Sequence, residues 1–347
     1  MSVATWAADA ALLGVWRAVD PAGALPHIAR VIDARSPASD YEAEIEVEML
    51  AVDATSYREI RGRCDADPER MAQLIAEIVA ERGKLQNPWT GSGGVLVGKV
   101  RSVGSRYRMV DLTVGDQVVP LASLIAIPLA LESVGPIDPD SPQVPVSGRA
   151  IVTGRMLCTT MPEDLSTKVA LAALDVYPSA SYVRTMARTG DHVLVLGAGH
   201  AGLLAVAAAR EAVGATGVVS ALDTSARALE RAHEVDPAVF TVQADVTDPV
   251  AVAAELARHE LPPADLTLLC TSVPGAEGTA ILATAEDGVV LFFSTATRFA
   301  AAALGADAIG SQARLIIPNG LTDDRGDYAL ELIRRIAPLR AVFEGEA

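Results

Sequence analysis

Cysteine is scarce, with three residues in 347 (Cys64, Cys158 and Cys270) and no CxxC pair among them. That excludes a disulfide-stapled scaffold and reads as reduced thiols, so a cytoplasmic location is expected. Histidine is scarce too, with five residues. Zinc needs three or four N, S or O ligands converging on one point, and these histidines and cysteines offer no such grouping, so no metal is expected. No basic segment followed by an apolar stretch opens the chain, and no apolar run free of charge reaches the length of about 18 residues that a membrane span requires. Positive charge is in deficit: 28 Lys and Arg stand against 44 Asp and Glu, a formal net charge of −16. Nucleic acid and anionic membrane both demand a positive footprint and are disfavoured as partners. Neither a phosphate-binding GxxxxGK[ST] loop nor a Ser-His-Asp arrangement is evident.

Half the residues are hydrophobic while only 4% are aromatic. Alanine and valine dominate, the composition of a well-buried α/β enzyme. The length exceeds what one core usually serves, so two domains are expected.

The most informative stretch is Asp191 to Gly202, Asp-His-Val-Leu-Val-Leu-Gly-Ala-Gly-His-Ala-Gly. Val193 to Leu196 is a short apolar run, as in a strand buried on both faces. Gly197, Gly199 and Gly202 follow at GxGxxG spacing, and an alanine-rich helix begins there. The first glycine permits a tight turn, the second lets backbone approach a pyrophosphate, and the third lets helix and strand pack closely. Amide groups of His200 and Ala201 at the helix start would hold phosphate. A second strand, from Gly217 to Leu222, ends in Asp223. That acid lies 26 positions after Gly197, near the spacing of about 20 at which a carboxylate binds an adenosine ribose 2′-hydroxyl. Asp223 would repel a 2′-phosphate, which favours NAD, with NADP as the alternative because Thr224, Ser225 and Arg227 stand close by.

Ahead of this unit, Glu44 to Leu50 alternates charged and apolar residues, predicting a half-exposed strand. Pro68 to Arg82 has helical spacing, with Met71, Leu74, Ile75 and Ile78 on one face. The glycine-rich loop from Asn87 to Gly94 runs into a strand at Val95 to Val100, and Val114 to Pro120 forms another strand-and-turn unit. Together these predict a largely antiparallel, barrel-like N-terminal domain. Pro128 to Pro145 holds five prolines and reads as a long surface connection. From Glu163 onward, helical pieces alternate with apolar strands at Val193–Leu196, Val218–Ala221, Leu266–Leu269 and Val289–Phe292, the pattern of a doubly wound parallel sheet. Ser294 and Thr295 end one of these strands, where ligands bind in such sheets, and Thr271 ends another.

This order of domains resembles the medium-chain dehydrogenase/reductase superfamily. The segments Gly94–Val103 and Val114–Val119 resemble its GxVxxVG and GDxV pieces. The resemblance implies a GroES-like domain over residues 1–162, a Rossmann domain over 163–312, and a C-terminal return to the first domain over 313–347. Zinc-dependent members carry a Cys, a Gly-His-Glu motif and a later Cys or Asp. Here Val52-Asp53-Ala54-Thr55-Ser56-Tyr57 stands at the first place and Gly91-Ser92-Gly93-Gly94 at the second.

A narrower resemblance lies in Glu81-Arg82-Gly83-Lys84-Leu85-Gln86-Asn87-Pro88 and the Thr90-to-Gly94 run behind it. Pro162 to Leu165, Ala170 to Val176, Phe292 to Thr297, Ala302 to Ala306 and Asn319-Gly320 extend it. These segments are similar to the L-erythro-3,5-diaminohexanoate dehydrogenase family. The resemblance implies NAD(P)-dependent oxidative deamination of a small diamino acid in lysine degradation, giving 5-amino-3-oxohexanoate and ammonia. A zinc-free alcohol or enoyl reductase, or a non-catalytic NAD-binding sensor, are the competing readings. Superfamily habit implies a homodimer or homotetramer.

Amine oxidation needs a general base, because hydride leaves only from carbon bearing a neutral amine. Asp53 and Asp175 are the candidates, near the places of the absent metal ligands, with Glu81 as an alternative carboxylate. Either is equally readable as a helix cap or salt-bridging acid. Lys84 and Arg82 would meet a substrate carboxylate or simply end a solvated helix. Thr90 and Ser92 are candidate hydroxyl donors, and Tyr57 would orient a base or fill core. His200 is expected over the pyrophosphate.

Overall fold

In a computed structural model, which describes residues 10–107 and 112–345, the alternating stretch becomes the long strand of an antiparallel sheet. The chain divides into two compact units, up to Leu171 and from Ala172. The first contains strands β1 (Ala18–Asp20), β2 (Val31–Ile32), β3 (Ala43–Val52), β4 (Gly94–Val103), β5 (Gln117–Pro120), β6 (Leu129–Val134), β7 (Gln143–Val152) and β8 (Cys158–Thr160). Six of them order as β6-β7-β3-β4-β5-β8, with every pairing antiparallel. The strand β3 lies between β4 and β7, so its apolar residues Ile45, Val47 and Leu50 enter the core.

Helices α1 (Ala54–Arg63) and α2 (Pro68–Arg82) follow β3. The start of α2 is written in sequence: the Asp67 carboxylate accepts from the amides of Glu69 and Arg70, and Pro68 occupies the first turn. Its end is set by Gly83 at φ +67°, where a Cβ would lie 2.0 Å from the carbonyl oxygen of Ile32. The buried face is Met71, Ile75, Ile78 and Val79, the stripe that the helical spacing predicts, with Val79 in place of Leu74.

The proline-rich stretch from 128 to 145 is not a plain surface connection: it holds β6 and the start of β7. Its prolines fall where ladder donors are dispensable. The strand β6 lies at the sheet's end, and Pro145 sits opposite Met49, beside a register shift in β3.

The second unit begins within α3 (Thr167–Val176) and continues with α4 (Pro178–Met186), β9 (His192–Leu196), α5 (His200–Val213), β10 (Val218–Asp223), α6 (Ala226–Val235) and β11 (Phe240–Gln243). Then follow α7 (Pro249–Arg258), β12 (Ala264–Leu269), α8 (Glu277–Leu282), β13 (Thr284–Phe292), α9 (Phe299–Ile309) and β14 (Arg314–Ile316). The six strands are parallel in the order β11-β10-β9-β12-β13-β14. The chain moves outward one way from β9 and then returns to its other side, which makes a topological switch point between β9 and β12. Every residue of β9 is buried, as its unbroken apolar run requires. The strands β11 and β14 carry no such run, since each is short and half-exposed at a sheet edge.

The final stretch corrects an expectation. Residues 313–347 were expected to rejoin the first domain, but the described part of them belongs to the second unit. The strand β14 extends the parallel sheet. The helix α10 (Asp327–Arg335) buries Tyr328, Leu330, Leu332 and Ile333, and α11 (Ala337–Glu344) buries Leu339, Val342 and Phe343. These apolar stripes close over α4, α5 and α6. The boundary between units also falls at 171/172 rather than 162/163, and residues 1–9 and 346–347 lie outside the described residues.

In the first unit a buried ion pair ties the N-terminal segment to the sheet. Arg17 and Glu42 are fully buried and bond bidentately at 2.7 and 2.8 Å. Arg17 also donates to the carbonyls of Asp33, Ser36 and Pro37, and the Ser39 amide donates to Glu42. Replacing Arg17 with alanine leaves an uncompensated buried carboxylate, so unfolding free energy should fall by about 3–5 kcal/mol. Urea denaturation followed by circular dichroism checks this.

Candidate active site and nucleotide cradle

The turn after β9 is built by contacts that admit no side chain. Gly197 has φ +101°, and a Cβ there would lie 2.8 Å from the Thr271 amide nitrogen. At Gly202 a Cβ would lie 1.9 Å from the carbonyl oxygen of Gly197. Gly199, at the start of α5, has open space above it and no side chain caps the helix. An uncapped helix start beside open space suits a bound pyrophosphate. From outside, Ser179 holds the first turn by donating to the carbonyl of Ala201 at 2.9 Å.

Asp223 sits where the ribose-binding acid is expected, and it does a second job. One oxygen accepts from the Ala198 amide at 2.8 Å, fixing the glycine loop, and the other accepts from the Ser225 amide at 2.9 Å. Each retains a lone pair for a ribose hydroxyl. Thr224 and Ser225 are exposed beside it; the Thr224 carbonyl accepts from Gln243, and Ser225 caps α6. The strand-end residues fall together as the topology requires: the amides of Phe293 and Ser294 reach the Leu269 carbonyl, and Thr295 follows in an exposed turn. His200 stacks on Phe343 of α11, ring centroids 4.5 Å apart. Sequence reading missed Phe343, and also Glu277, a buried carboxylate that accepts from the Arg298 amide at 2.6 Å.

In the first unit the loop from Asn87 to Gly94 folds back on the end of β3. Asp53 caps α1: its Oδ1 accepts from the Ser56 amide at 3.0 Å and from the Ser92 hydroxyl at 3.0 Å. The other oxygen, Oδ2, is buried and has no hydrogen-bond partner among the described residues. The hydroxyl of Ser56 lies 2.8 Å from that of Thr90 and 2.7 Å from that of Ser92, with Thr90 and Ser92 3.0 Å apart. Asn87 organises the loop. Its side chain accepts from the amides of Trp89 and Thr90 and donates to the Ser56 carbonyl. Three sequence candidates (Asp53, Thr90 and Ser92) are thus brought into one cluster. Ser56 and Asn87 join it unforeseen; the Asx-turn habit of Asn before Pro in a glycine-rich loop was the available signal.

Other candidates take different places. The Lys84 side chain is wholly buried and donates to the carbonyls of Pro26 (2.7 Å) and His27 (3.5 Å), so it straps the N-terminal segment rather than awaiting a substrate. Burial, aided by Arg82, lowers its pKa to about 8. Tyr57 is buried and donates to the Asp138 carbonyl at 2.6 Å, which commits its hydroxyl to architecture. Burial first, then the nearby Asp138, push that phenol up to about 12. Glu81 is exposed in an ion pair with Arg30 at 3.1 Å, outside the hydroxyl cluster. Arg82 ends α2 half-buried, with no hydrogen-bond partner among the described residues. Asp175 lies half-buried near the end of α3 and belongs to the second unit, whereas Asp53 belongs to the first. Among the described residues no group of three His, Cys, Asp or Glu side chains is placed to hold a metal ion. No helix among them is long and apolar enough to cross a membrane.

An antiparallel N-terminal sheet followed by a six-stranded Rossmann sheet with a glycine cradle is the fold of the medium-chain dehydrogenase/reductases. Solved structures agree on the fold. A quinone oxidoreductase from Pseudomonas syringae aligns with TM-score 0.55 at 15% identity, over 91% of this chain and 90% of that one. A mycobacterial protein complexed with NADPH gives 0.55 at 17%, over 92% of each chain. Alcohol dehydrogenase from a Thermus species gives 0.51 at 19%, over 91% and 85%. The family model for the L-erythro-3,5-diaminohexanoate dehydrogenase N-terminal domain matches residues 16–162. Two L-erythro-3,5-diaminohexanoate dehydrogenases are similar along nearly the whole length. That of Fusobacterium nucleatum is 36% identical over 95% of this chain and 96% of its own, and that of Acetoanaerobium sticklandii 35% over 95% and 97%. The chain belongs to the L-erythro-3,5-diaminohexanoate dehydrogenase family.

Two outcomes test these geometries. Gly202→Val forces a side chain into the Gly197 carbonyl, so NADH binding measured by fluorescence should be lost. Lys84 is discharged near pH 8 when folded but, at about 10.4, only later when unfolded. The unfolded chain binds the extra proton between those values, so Lys84 makes stability rise with pH across that window. Lys84→Met should remove that part of the rise, seen as a flatter unfolding midpoint against pH.

Proposed function

We propose that this chain oxidises L-erythro-3,5-diaminohexanoate at its 3-amino carbon, with NAD preferred over NADP, to give 5-amino-3-oxohexanoate and ammonia. The observation that carries the reading is the bond between the Asp53 carboxylate and the Ser92 hydroxyl, at the two places where zinc-dependent members of the superfamily have metal ligands. A carboxylate held among hydroxyls suits an ammonium group, pairing with its charge and then accepting its proton.

Gly197, Gly199, the start of α5 and Asp223 would hold the dinucleotide, with Thr271, Ser294 and Thr295 toward its nicotinamide end. When bound, the nicotinamide ring supplies the hydride acceptor. Asp53 is the proposed base and Asp175 the alternative. Arg82 is the proposed partner of the substrate carboxylate, a role its planar guanidinium fills bidentately. Loss of a proton from the 3-ammonium frees the nitrogen lone pair, which forms the C=N bond as hydride leaves the carbon. Water then adds to that bond and ammonia departs. The Asp223 carboxylate supports NAD because it would repel a 2′-phosphate. A cytoplasmic location, a small amino-acid substrate as the only partner required, and a homodimer or homotetramer complete the proposal.

The test is NAD+ reduction followed by absorbance, across the diamino acid, simple amines, alcohols and enones. Turnover with the diamino acid alone is expected; turnover with alcohols or enones instead, or none at all, overturns the reading. Losing a general base costs ~10²–10⁴-fold in rate. Asp53→Asn should therefore lose turnover on that scale while NADH binding stays within about twofold. A comparable loss in Asp175→Asn alone would move the role to that residue.

A further inference from the structure

The hydroxyl cluster beside Asp53 is one hydrogen short. It contains four contacts: Asp53 Oδ1 to Ser92 (3.0 Å), Ser92 to Ser56 (2.7 Å), Ser56 to Thr90 (2.8 Å), and Thr90 to Ser92 (3.0 Å). Each contact needs one hydrogen, and three hydroxyls supply three while the carboxylate is ionised. The Ser92 hydrogen goes to Asp53. The other two satisfy the shorter hydroxyl contacts, Ser56 donating to Ser92 and Thr90 donating to Ser56. The longest hydroxyl contact, between Thr90 and Ser92, is left without one. Thr90 Oγ1 is then the end of the chain and, among the described residues, accepts only a long 3.4 Å contact from the Ser92 amide. At the far end, the Asp53 carboxylate has one oxygen buried without a partner among the described residues.

We propose that Thr90, Ser56 and Ser92 form a proton relay from the substrate's 3-ammonium group to Asp53, a reading that rests on Asp53 being the base. Thr90 Oγ1 takes a proton from nitrogen as its own hydrogen passes to Ser56. The Ser56 hydrogen passes to Ser92, and the Ser92 hydrogen to Asp53 Oδ1. One N–H and three O–H bonds break and four O–H bonds form. Nitrogen keeps its electron pair, so ammonium becomes amine and carboxylate becomes carboxylic acid. Four hydrogens then serve four contacts. Ser56 is the centre of the device: its hydroxyl is sheltered, the residue being 1% exposed, and its amide holds Asp53 Oδ1. Asn87 positions the outer end, accepting from the Thr90 amide and donating to the Ser56 carbonyl.

The test measures oxidation of L-erythro-3,5-diaminohexanoate by NAD+ against pH and in H2O/D2O mixtures, with NADH binding as a check that each variant folds. Wild type should show a bowed dependence of kcat/KM on deuterium fraction, the mark of several protons moving together. Ser56→Ala and Thr90→Val should lower kcat/KM by about tenfold or more on the acid side and make that dependence linear. Thr90→Ser should recover the rate that Thr90→Val loses. If Ser56→Ala does not fold, the Thr90 pair carries the same reading. Loss of turnover in Asp53→Asn, with wild-type rate and a bowed dependence in the hydroxyl variants, overturns the relay and leaves the base standing. Full turnover in Asp53→Asn overturns both.

Discussion

The close approach of the loop ending at Gly94 to the end of β3 is the constraint on which the proposed proton chemistry depends. Gly94 has φ +117°, and a Cβ there would lie 2.0 Å from the Ala51 carbonyl oxygen and 2.8 Å from the Asp53 amide. Gly93 is pressed from another side, its missing Cβ 2.5 Å from the Leu85 carbonyl oxygen, while its own carbonyl accepts from Asp53 at 3.2 Å. With no side chain at either position, two backbone segments lie in contact. Ser92 is thereby delivered onto a carboxylate 39 residues earlier in the chain. Any larger residue would lift the loop away, and the hydrogen bond would go with it.

The same device recurs in the second unit with a different purpose. Gly202 and Gly197 meet backbone to backbone, which draws α5 against the end of β9 and aims its uncapped amides at open space. Each unit thus uses glycine to bring backbone within reach of a polar group: a carboxylate held by hydroxyls in one, an anion site in the other. Asp223 joins strand to loop in the second unit as Asp53 joins strand to loop in the first. Asp53 follows directly on an inner strand of its sheet and Asp223 is the last residue of one, where burial fixes the backbone firmly.

What was legible in the sequence follows periodicity and glycine spacing. The strand β9, the cradle and α2 each carry a local pattern strong enough to fix them, and all three are found close to their expected bounds. Edge elements were not legible: β11 and β14 are short and half-exposed, and β6 and the start of β7 lie in a proline-rich stretch in which Pro128 stands just before β6 and Pro145 falls within β7 beside a register shift. The destination of α10 and α11 was read from superfamily habit, whereas their apolar stripes match α4, α5 and α6. For the site, residue types were readable but partners were not. Lys84 and Asp53 are both charged residues near a glycine-rich loop. Only the folded chain shows that one is walled in by carbonyls and the other by hydroxyls. Ser56 carried no signal, since a serine three residues after an N-cap is ordinary.

The proposed roles of Asp53 and Ser92 fit the acidity of the bond to be broken. An alkylammonium loses its proton near pH 10.4, about five units below the 15.7 at which bulk water does. An alcohol sits close to water, which is why its oxidation calls for a strongly polarising group at oxygen. An ammonium does not need that help, but it does need an acceptor that first pairs with its charge. In the proposed site a carboxylate and hydroxyls would supply both functions, and a cation placed among them would repel the substrate. Replacing one chemistry by the other therefore takes few changes in a fold that already brings these two backbone segments together. The glycines that hold them there are required in either case.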